Sequence, residues 1–312
     1  MDFLRWLEGI RVPGLNEFML GITYLGDEIA FLVVALILFW CVDKRKGYYI
    51  LAVGFLGTLT SQFMKIWFRI PRPWDLDKDF GILEQAREGA GGYSFPSGHT
   101  QSSIGTFGGI AVTSKKLLTR ILCLAVCILV PFSRMYVGVH TPMDVAIGAV
   151  ISVVALLVMH PIIFGKDGKY LPCALGALTA LTVAYVCFLH VYSFPEDVYF
   201  LAEGAKQTPW ESAAKNAYTL LGALLGFLVV YTADKKWMHF SEKAVWWVQI
   251  IKVVFGLILV LAVKEGLSTP FTNAFGYFPG RAARYFVLVV VAGIVWPLCF
   301  PWLNNLAMKK ES

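Results

Sequence analysis

The chain has 312 residues, of which 57% are hydrophobic and 15% are charged, and its mean hydropathy is +0.65. Soluble globular proteins carry about 25% charged residues, so this composition excludes a water-soluble globular protein. The net charge is +6, but the basic residues lie in short loops between apolar stretches, so we expect no nucleic-acid partner.

In chain order, residues 1–20 are amphipathic and favour a helix that lies at the membrane interface. After them, apolar stretches long enough to cross a bilayer as helices recur along the chain. We predict about nine spans, at residues 22–42, 47–68, 99–113, 118–133, 142–160, 170–190, 216–232, 245–263 and 284–303. The first of these is weakened by Asp27 and Glu28. The predicted fold class is all-α, a polytopic transmembrane helical bundle.

Loops on alternate sides of this bundle differ in charge. The shorter set is dense in lysine and arginine, as in Lys44-Arg45-Lys46, whereas the longer set carries more acidic residues. The positive-inside rule places the short basic loops in the cytoplasm. Gly222 and Gly226 have the spacing that lets membrane helices approach closely, and we predict helix packing there.

Polar chemistry is concentrated at three span ends that share one membrane face. Lys65 lies at the end of the second span, and Arg72 follows it. Pro71 and Pro73, on either side of Arg72, stop the helix. The third begins at Ser97-Gly98-His99, where free backbone N–H groups favour an anion. Between the fourth and fifth lie Arg134, His140 and Asp144.

Each of these pieces also has an ordinary structural interpretation. Lys65 and Arg72 alone are typical of side chains that reach from a helix end to the membrane surface. Asp144 alone, after Thr141 and Pro142, is typical of a helix start. The joint pattern is harder to explain in this way, because three cations close together require an anion between them. Two histidines beside that anion offer a nucleophile and a proton donor, so the pattern predicts a phosphate site.

Three sequence motifs carry a resemblance to a known family. They read "KIWFRIPRP" from Lys65 to Pro73, "PSGH" from Pro96 to His99, and "SRMYVGVHTPMD" from Ser133 to Asp144. In these motifs the chain resembles the type-2 phosphatidic-acid phosphatase superfamily, over about residues 20–160. The resemblance implies a phosphatase helical core of six helices over residues 21–190. Residues 191–312 would then form a C-terminal transmembrane extension of three helices with an unknown role.

The resemblance also implies a role for each site residue. His140 would attack phosphorus, Asp144 would orient and stabilise its ring, and His99 would protonate the leaving oxygen. The phosphoryl oxygens would be held by five residues: Lys65, Arg72, Ser97, Gly98 and Arg134. No metal and no cofactor is implied. Asp75, Asp77 and Asp79 could ligate a divalent ion, but a solvated loop is the stronger interpretation.

The function that follows is that of a membrane enzyme, a phosphatase for a lipid phosphate or diphosphate. The positive-inside rule then places its site on the extracytoplasmic face, and we predict a bacterial plasma (inner) membrane as its location. One alternative is a lipid phosphotransferase that uses the same phosphohistidine. Another is a lipid-binding or transport protein. The remaining histidines, His160, His190 and His239, lie away from the motifs, and we interpret them as structural.

Overall fold

The computed structural model describes residues 1–87, 90–200, 206–238 and 240–311, without the side chains of residues 167 and 306–311. Within these ranges the chain is helical and has no strand. The helices are α1 (Asp2–Gly9), α2 (Pro13–Thr23), α3 (Glu28–Ile37), α4 (Lys44–Phe68), α5 (Pro73–Leu76), α6 (Gly98–Ser103), α7 (Gly109–Thr113), α8 (Leu117–Tyr136), α9 (Pro142–Phe164), α10 (Leu171–Val191), α11 (Pro209–Lys236), α12 (Trp246–Gly266), α13 (Ser268–Phe275), α14 (Tyr277–Val290) and α15 (Phe300–Glu311).

Seven helical segments of the described chain are long and apolar enough to cross a membrane. They are Lys44–Leu76, Leu117–Tyr136, Pro142–Phe164, Leu171–Val191, Pro209–Lys236, Trp246–Phe275 and Tyr277–Asn305. An eighth span is formed if Pro13–Gly26 and Glu28–Val42 are counted together, although the chain bends by 55° between them. The all-helical, polytopic prediction is confirmed, and the count is close to the nine spans predicted.

The predicted spans at 22–42 and 99–113 differ from straight helices. The first is interrupted at Asp27, whose backbone is extended. The second begins at Gly98 and winds through a π-helical turn, Ile104–Gly108, before α7 ends at Thr113. At 1.5 Å per residue this stretch is about 24 Å long, short of the ~30 Å hydrocarbon core. Both irregular segments lie next to the predicted site residues.

Two compact units divide the chain, and the first holds every predicted site residue. It comprises residues 1–32, 50–159 and 188–214. Within it, α1 packs its buried Leu4 and Leu7 against Phe80 and Val139, in the loops before α6 and after α8. Arg5 on α1 binds the Asp77 carboxylate, at 2.7 Å from Nη2. Residues 1–20 thus form two helices, the first of which contacts protein loops; a position at the membrane interface stays a prediction.

The second unit comprises residues 33–49, 160–187 and 215–312. Several hydrogen bonds lie inside this unit. The buried Trp40 indole donates to the Ala292 carbonyl at 2.9 Å, and Asp234 accepts from both Lys44 and Tyr48. A Cβ at Gly226 would lie 3.0 Å from the Phe286 carbonyl oxygen, so this glycine allows α11 to approach α14 closely.

The three histidines outside the motifs have different surroundings. His160 stacks edge-on with Tyr49 and lies against Phe164 in the second unit. His190 packs against Trp210 in the first unit. His239 lies outside the described residues. The two described rings therefore make aromatic contacts away from the motif residues.

Candidate active site

His140 lies in the loop between α8 and α9 and is 2% exposed. Its Nε2 is 3.1 Å from Nη1 of Arg72, which also donates to the Val139 carbonyl at 2.9 Å. A guanidinium can only donate hydrogen bonds, so Nε2 must supply the lone pair. The neutral ring therefore carries its proton on Nδ1. This assignment leaves Nε2 as the ring nitrogen that carries the lone pair.

The other edge of the ring faces a carboxylate and a hydroxyl. Asp144 Oδ2 lies 3.5 Å from Nδ1. The same oxygen accepts from Ser94 Oγ at 2.5 Å and from the Thr141 backbone N–H at 2.7 Å. Ser94 Oγ is 3.4 Å from Nδ1, so the hydroxyl links the ring to the carboxylate. Asp144 therefore combines the helix-start role with a position beside His140.

Two cations at the end of the second span hold the loop that precedes α6. Arg72 donates to the carbonyls of Gly91 and Gly92, at 3.0 and 3.1 Å. Lys65 Nζ donates to the Tyr93 carbonyl at 2.7 Å. Backbone carbonyls thus accept from both side chains. A shared membrane face for these residues stays a prediction. Their contact with a phosphate stays a prediction.

Ser97 and Gly98 form the start of α6. The Ser97 side chain caps the helix by accepting from the Thr100 N–H at 3.4 Å, and its own N–H donates to the Asp144 carbonyl at 2.9 Å. Ser97 is fully buried and therefore couples α6 to α9. A Cβ added at Gly98 would meet no atom within 4 Å, so there is open space beside this residue.

Arg134, near the end of α8, is 1% exposed. Its Nη1 donates to the Thr23 hydroxyl at 2.7 Å. Its Nε and Nη2 are buried and have no hydrogen-bond partner among the residues that the structure describes. Because unpaired buried donors are costly, this guanidinium fits a role in holding anionic oxygens.

His99 has a partner that the motifs do not include. Its Nε2 lies 2.6 Å from Oδ1 of Asp27, at the break between α2 and α3. The sequence contains one indication that Asp27 has a functional role, because it is an acidic residue inside a predicted membrane span. Thr23 and Ser94 carry no comparable signal, since a lone hydroxyl in an apolar stretch or a loop is common.

The electrostatics of the site favour a neutral nucleophile. Burial lowers the pKa of His140 well below its ordinary value, and the positive charges of Arg72, Arg134 and Lys65 lower this pKa further. The imidazole is therefore uncharged at neutral pH, and its Nε2 lone pair accepts from Arg72. The same cations would stabilise an anion in front of the ring.

The acidic loop at Asp75–Asp79 makes protein contacts. Asp77 binds Arg5, and Asp75 lies 3.6 Å from Lys78. Among the described residues, no group of three or more His, Cys, Asp or Glu side chains is placed to hold a metal ion.

Comparisons with known proteins agree with these motifs. The PAP2 superfamily profile matches residues 45–167, and a profile described as PAP2 superfamily phosphatase, transmembrane extension, matches residues 218–309. Phosphatidylglycerophosphatase B of Bacillus subtilis is 31% identical over 149 residues, which cover 44% of this chain and 69% of that protein. The chain belongs to the PAP2 superfamily. It is an integral membrane protein of this superfamily and, as predicted, an enzyme of the phosphatase class.

Two further relatives match at lower identity. The undecaprenyl-diphosphatase of Sulfolobus acidocaldarius is 29% identical over 151 residues, covering 47% of this chain and 70% of that protein. A probable sphingosine-1-phosphate phosphatase of Dictyostelium discoideum is 29% identical over 172 residues, covering 48% of this chain and 39% of that protein. No solved structure matches the chain.

Proposed function

We propose that this PAP2 protein hydrolyses a lipid phosphate or diphosphate through a phosphohistidine on His140, without a metal ion, at the extracytoplasmic membrane face. The observation that carries the proposal is the pair of contacts on the His140 ring. Arg72 identifies Nε2 as the lone-pair nitrogen, and Ser94 with Asp144 lies at Nδ1. These contacts support the role of His140 as an oriented nucleophile beside fixed cations.

In the first step, the Arg72 N–H moves from Nε2 to a phosphoryl oxygen, and the freed Nε2 lone pair forms a bond to phosphorus while the bond from phosphorus to the ester oxygen breaks. His99 gives its proton to that oxygen, so the lipid leaves as an alcohol or, from a diphosphate, as a lipid monophosphate. The His140 ring becomes positively charged, and Asp144 stabilises that charge. Arg72, Arg134 and Lys65 balance the charge on the phosphoryl oxygens, the function that Mg²⁺ serves in many other phosphoryl-transfer enzymes.

In the second step, His99 accepts a proton from water as the water oxygen attacks phosphorus. The electrons of the nitrogen–phosphorus bond return to Nε2, and inorganic phosphate is released. His99 is then protonated again and the site is restored. The open space beside Gly98 supports an approach of the phosphoryl group to the start of α6.

The position of the site residues at span ends and the names of the relatives support a lipid substrate. The site residues lie at span ends, where an amphiphile can present its headgroup while its tail stays in lipid. The relatives are named for action on phosphatidylglycerophosphate, undecaprenyl diphosphate and, for the probable enzyme, sphingosine 1-phosphate. We infer that the substrate of this chain is an anionic lipid of this general kind. The positive-inside rule supports the extracytoplasmic face, and a bacterial plasma membrane stays a prediction.

A phosphate-release screen tests the proposal. The purified protein in detergent would be given phosphatidylglycerophosphate, phosphatidic acid, sphingosine 1-phosphate and undecaprenyl diphosphate. We expect release from at least one of them, and none from the His140→Ala variant. Release by that variant at the wild-type rate would refute the mechanism. Labelled phosphate that passes to a second lipid, with none released, would show a transferase.

Orthovanadate should inhibit the enzyme at micromolar concentration in the presence of EDTA. Vanadate takes up the five-coordinate geometry of phosphorus during in-line attack, and transition-state analogues bind about 10²- to 10⁸-fold more tightly than substrates. Phosphate release at increasing vanadate gives the inhibition constant. Loss of activity in EDTA that Mg²⁺ restores would overturn the metal-independent mechanism and direct attention to Asp75, Asp77 and Asp79.

Replacing Ser94 with alanine should lower kcat about 10-fold and leave KM nearly unchanged. The hydroxyl lies within 3.4 Å of the His140 ring and donates to Asp144, so its loss weakens the orientation of the ring but removes no phosphate contact. Steady-state kinetics on the best substrate measures both constants. Ser94→Thr, which keeps the hydroxyl, is the matched control. An unchanged kcat in Ser94→Ala would show that Asp144 orients His140 without it.

A further inference from the structure

The turn between α2 and α3 reaches the predicted acid–base residue from outside the matched family region. The PAP2 profile begins at residue 45, whereas this turn consists of Tyr24–Gly26 followed by Asp27. Asp27 Oδ1 is 2.6 Å from His99 Nε2. The side chains are only 34% and 14% exposed, so the pair is largely shielded from solvent.

We propose that Asp27 is a positioning residue for His99: it holds Nε2, so that Nδ1 is the nitrogen that exchanges a proton with the substrate. This inference rests on the proposed function, because it assigns a partner to the acid of that reaction. In the first step the proton moves from Nδ1 to the ester oxygen, and in the second it moves from water to Nδ1. The Asp27 carboxylate accepts from the Nε2–H in both steps.

A capping role does not account for Asp27. An aspartate at the start of a helix normally accepts from a backbone N–H of the first turn. Among the described residues, the Asp27 carboxylate accepts no such bond from α3, and its polar partner is the His99 ring. The Asp27 carbonyl, by contrast, does begin the helix by accepting from the Phe31 N–H at 3.1 Å. Backbone and side chain therefore have separate roles.

The backbone of the turn is shaped for this contact. A Cβ at Gly26 would lie 2.9 Å from the His99 carbonyl oxygen and 2.8 Å from Val130 Cγ1. Only glycine allows the turn to approach α6 and α8 this closely. The chain bends by 55° between α2 and α3. Asp27 lies at this bend, in contact with His99.

The same segment contacts a second site residue. Thr23, the last residue of α2, is 4% exposed, and its hydroxyl accepts from Arg134 Nη1 at 2.7 Å. With Asp27 on His99 and Thr23 on Arg134, residues 23–27 contact one predicted acid–base residue and one predicted phosphate ligand. Packing alone would not require both polar contacts at the ends of these helices.

The test compares two leaving groups in the full-length enzyme. Phosphatidic acid leaves as an alkoxide that needs a proton, whereas 4-nitrophenyl phosphate leaves as a stable phenolate. We expect Asp27→Asn to lower the single-turnover rate of leaving-group release from phosphatidic acid by about 10- to 100-fold, and from 4-nitrophenyl phosphate by less than about 3-fold, because this rate reports the first step alone. Glu28→Gln, an exposed neighbour, is the matched control and should match wild type on both substrates.

A double variant separates positioning from general damage. If Asp27 acts through His99, adding Asp27→Asn to His99→Ala should change kcat by less than about 2-fold. Asp27→Glu, which keeps the carboxylate, should retain more activity on phosphatidic acid than Asp27→Asn. Equal losses on both leaving groups, a further large loss in the double variant, or wild-type kinetics in Asp27→Asn would each overturn the proposal.

The two proposals fail in different ways. Wild-type activity in His140→Ala would refute the phosphohistidine mechanism, whatever Asp27 does. An inactive His140→Ala together with wild-type kinetics in Asp27→Asn would leave that mechanism intact and refute only the positioning role.

Discussion

Replacing His140 with alanine is expected to lower phosphate release by at least about 10⁴-fold, the largest effect of any single change in this chain. The variant lacks the atom that would bond to phosphorus, so the remaining cations can bind the substrate but cannot start the reaction. The buried ring contacts Arg72, Ser94 and Asp144 on three separate segments, so we also expect a lower Tm, which is a separate effect from the loss of the nucleophile. Phosphate release and thermal unfolding of the detergent-solubilised protein measure the two effects.

The intermediate itself can be trapped. Phosphohistidine survives alkali and is lost in acid, so substrate labelled in the phosphoryl group should leave alkali-stable label on the protein. We expect label on wild type and none on His140→Ala. His99→Ala should accumulate label from 4-nitrophenyl phosphate, because the first step then needs no acid while the second still needs a base.

A matched control is provided by His190→Ala, which removes an exposed ring outside the motifs. It should label and turn over as wild type does. Label that persists in His140→Ala would identify another nucleophile, and the neutral ring of His140 would then need a different explanation.

The motif residues could be predicted because each lies at the end of an apolar stretch. Span parity predicts that Lys65, His99 and His140 share one membrane face, and the proline residues beside Arg72 predict the end of the helix that precedes it. Side-chain type and position relative to a bilayer are both readable from the sequence. The PAP2 motifs add the roles.

The partners of these residues could not be predicted in the same way. Asp27 in the sequence only weakens a span, and its pairing with His99 depends on a glycine that lets two distant segments touch. Ser94 lies in a loop whose path is set by carbonyls bound to Arg72 and Lys65. Such contacts arise from tertiary approach between segments far apart in the chain, which no local pattern encodes.

The surroundings of residues 1–20 could also not be predicted from the sequence. Its amphipathic pattern predicts an apolar face against lipid, but amphipathicity alone does not say whether that face meets lipid or protein. In the structure Leu4 and Leu7 of α1 are buried against protein, and Arg5 engages Asp77. The acidic loop after Arg72 therefore has a basic partner on α1 that its own sequence does not show.

Replacing Arg134 with methionine should have the second-largest effect, a loss of about 10²- to 10³-fold in kcat/KM without loss of stability. Arg134 is buried, and two of its donors have no partner among the described residues, so the folded protein tolerates an unfavourable group there. Methionine fills a similar volume with no charge to desolvate, which offsets the lost hydrogen bond from Arg134 to Thr23. We therefore expect Tm to equal or exceed that of wild type.

This combination distinguishes a phosphate ligand from a structural arginine. If Arg134 served the fold through Thr23, its removal would lower Tm and affect kinetics only through unfolding. If it holds phosphoryl oxygens, the inhibition constant for vanadate should rise by at least about 10-fold, because an oxyanion loses a charged donor. Arg120→Met, on the same helix and exposed, is the control for loss of charge. A lower Tm with unchanged vanadate binding would remove Arg134 from the site and leave Arg72 and Lys65 as its cations.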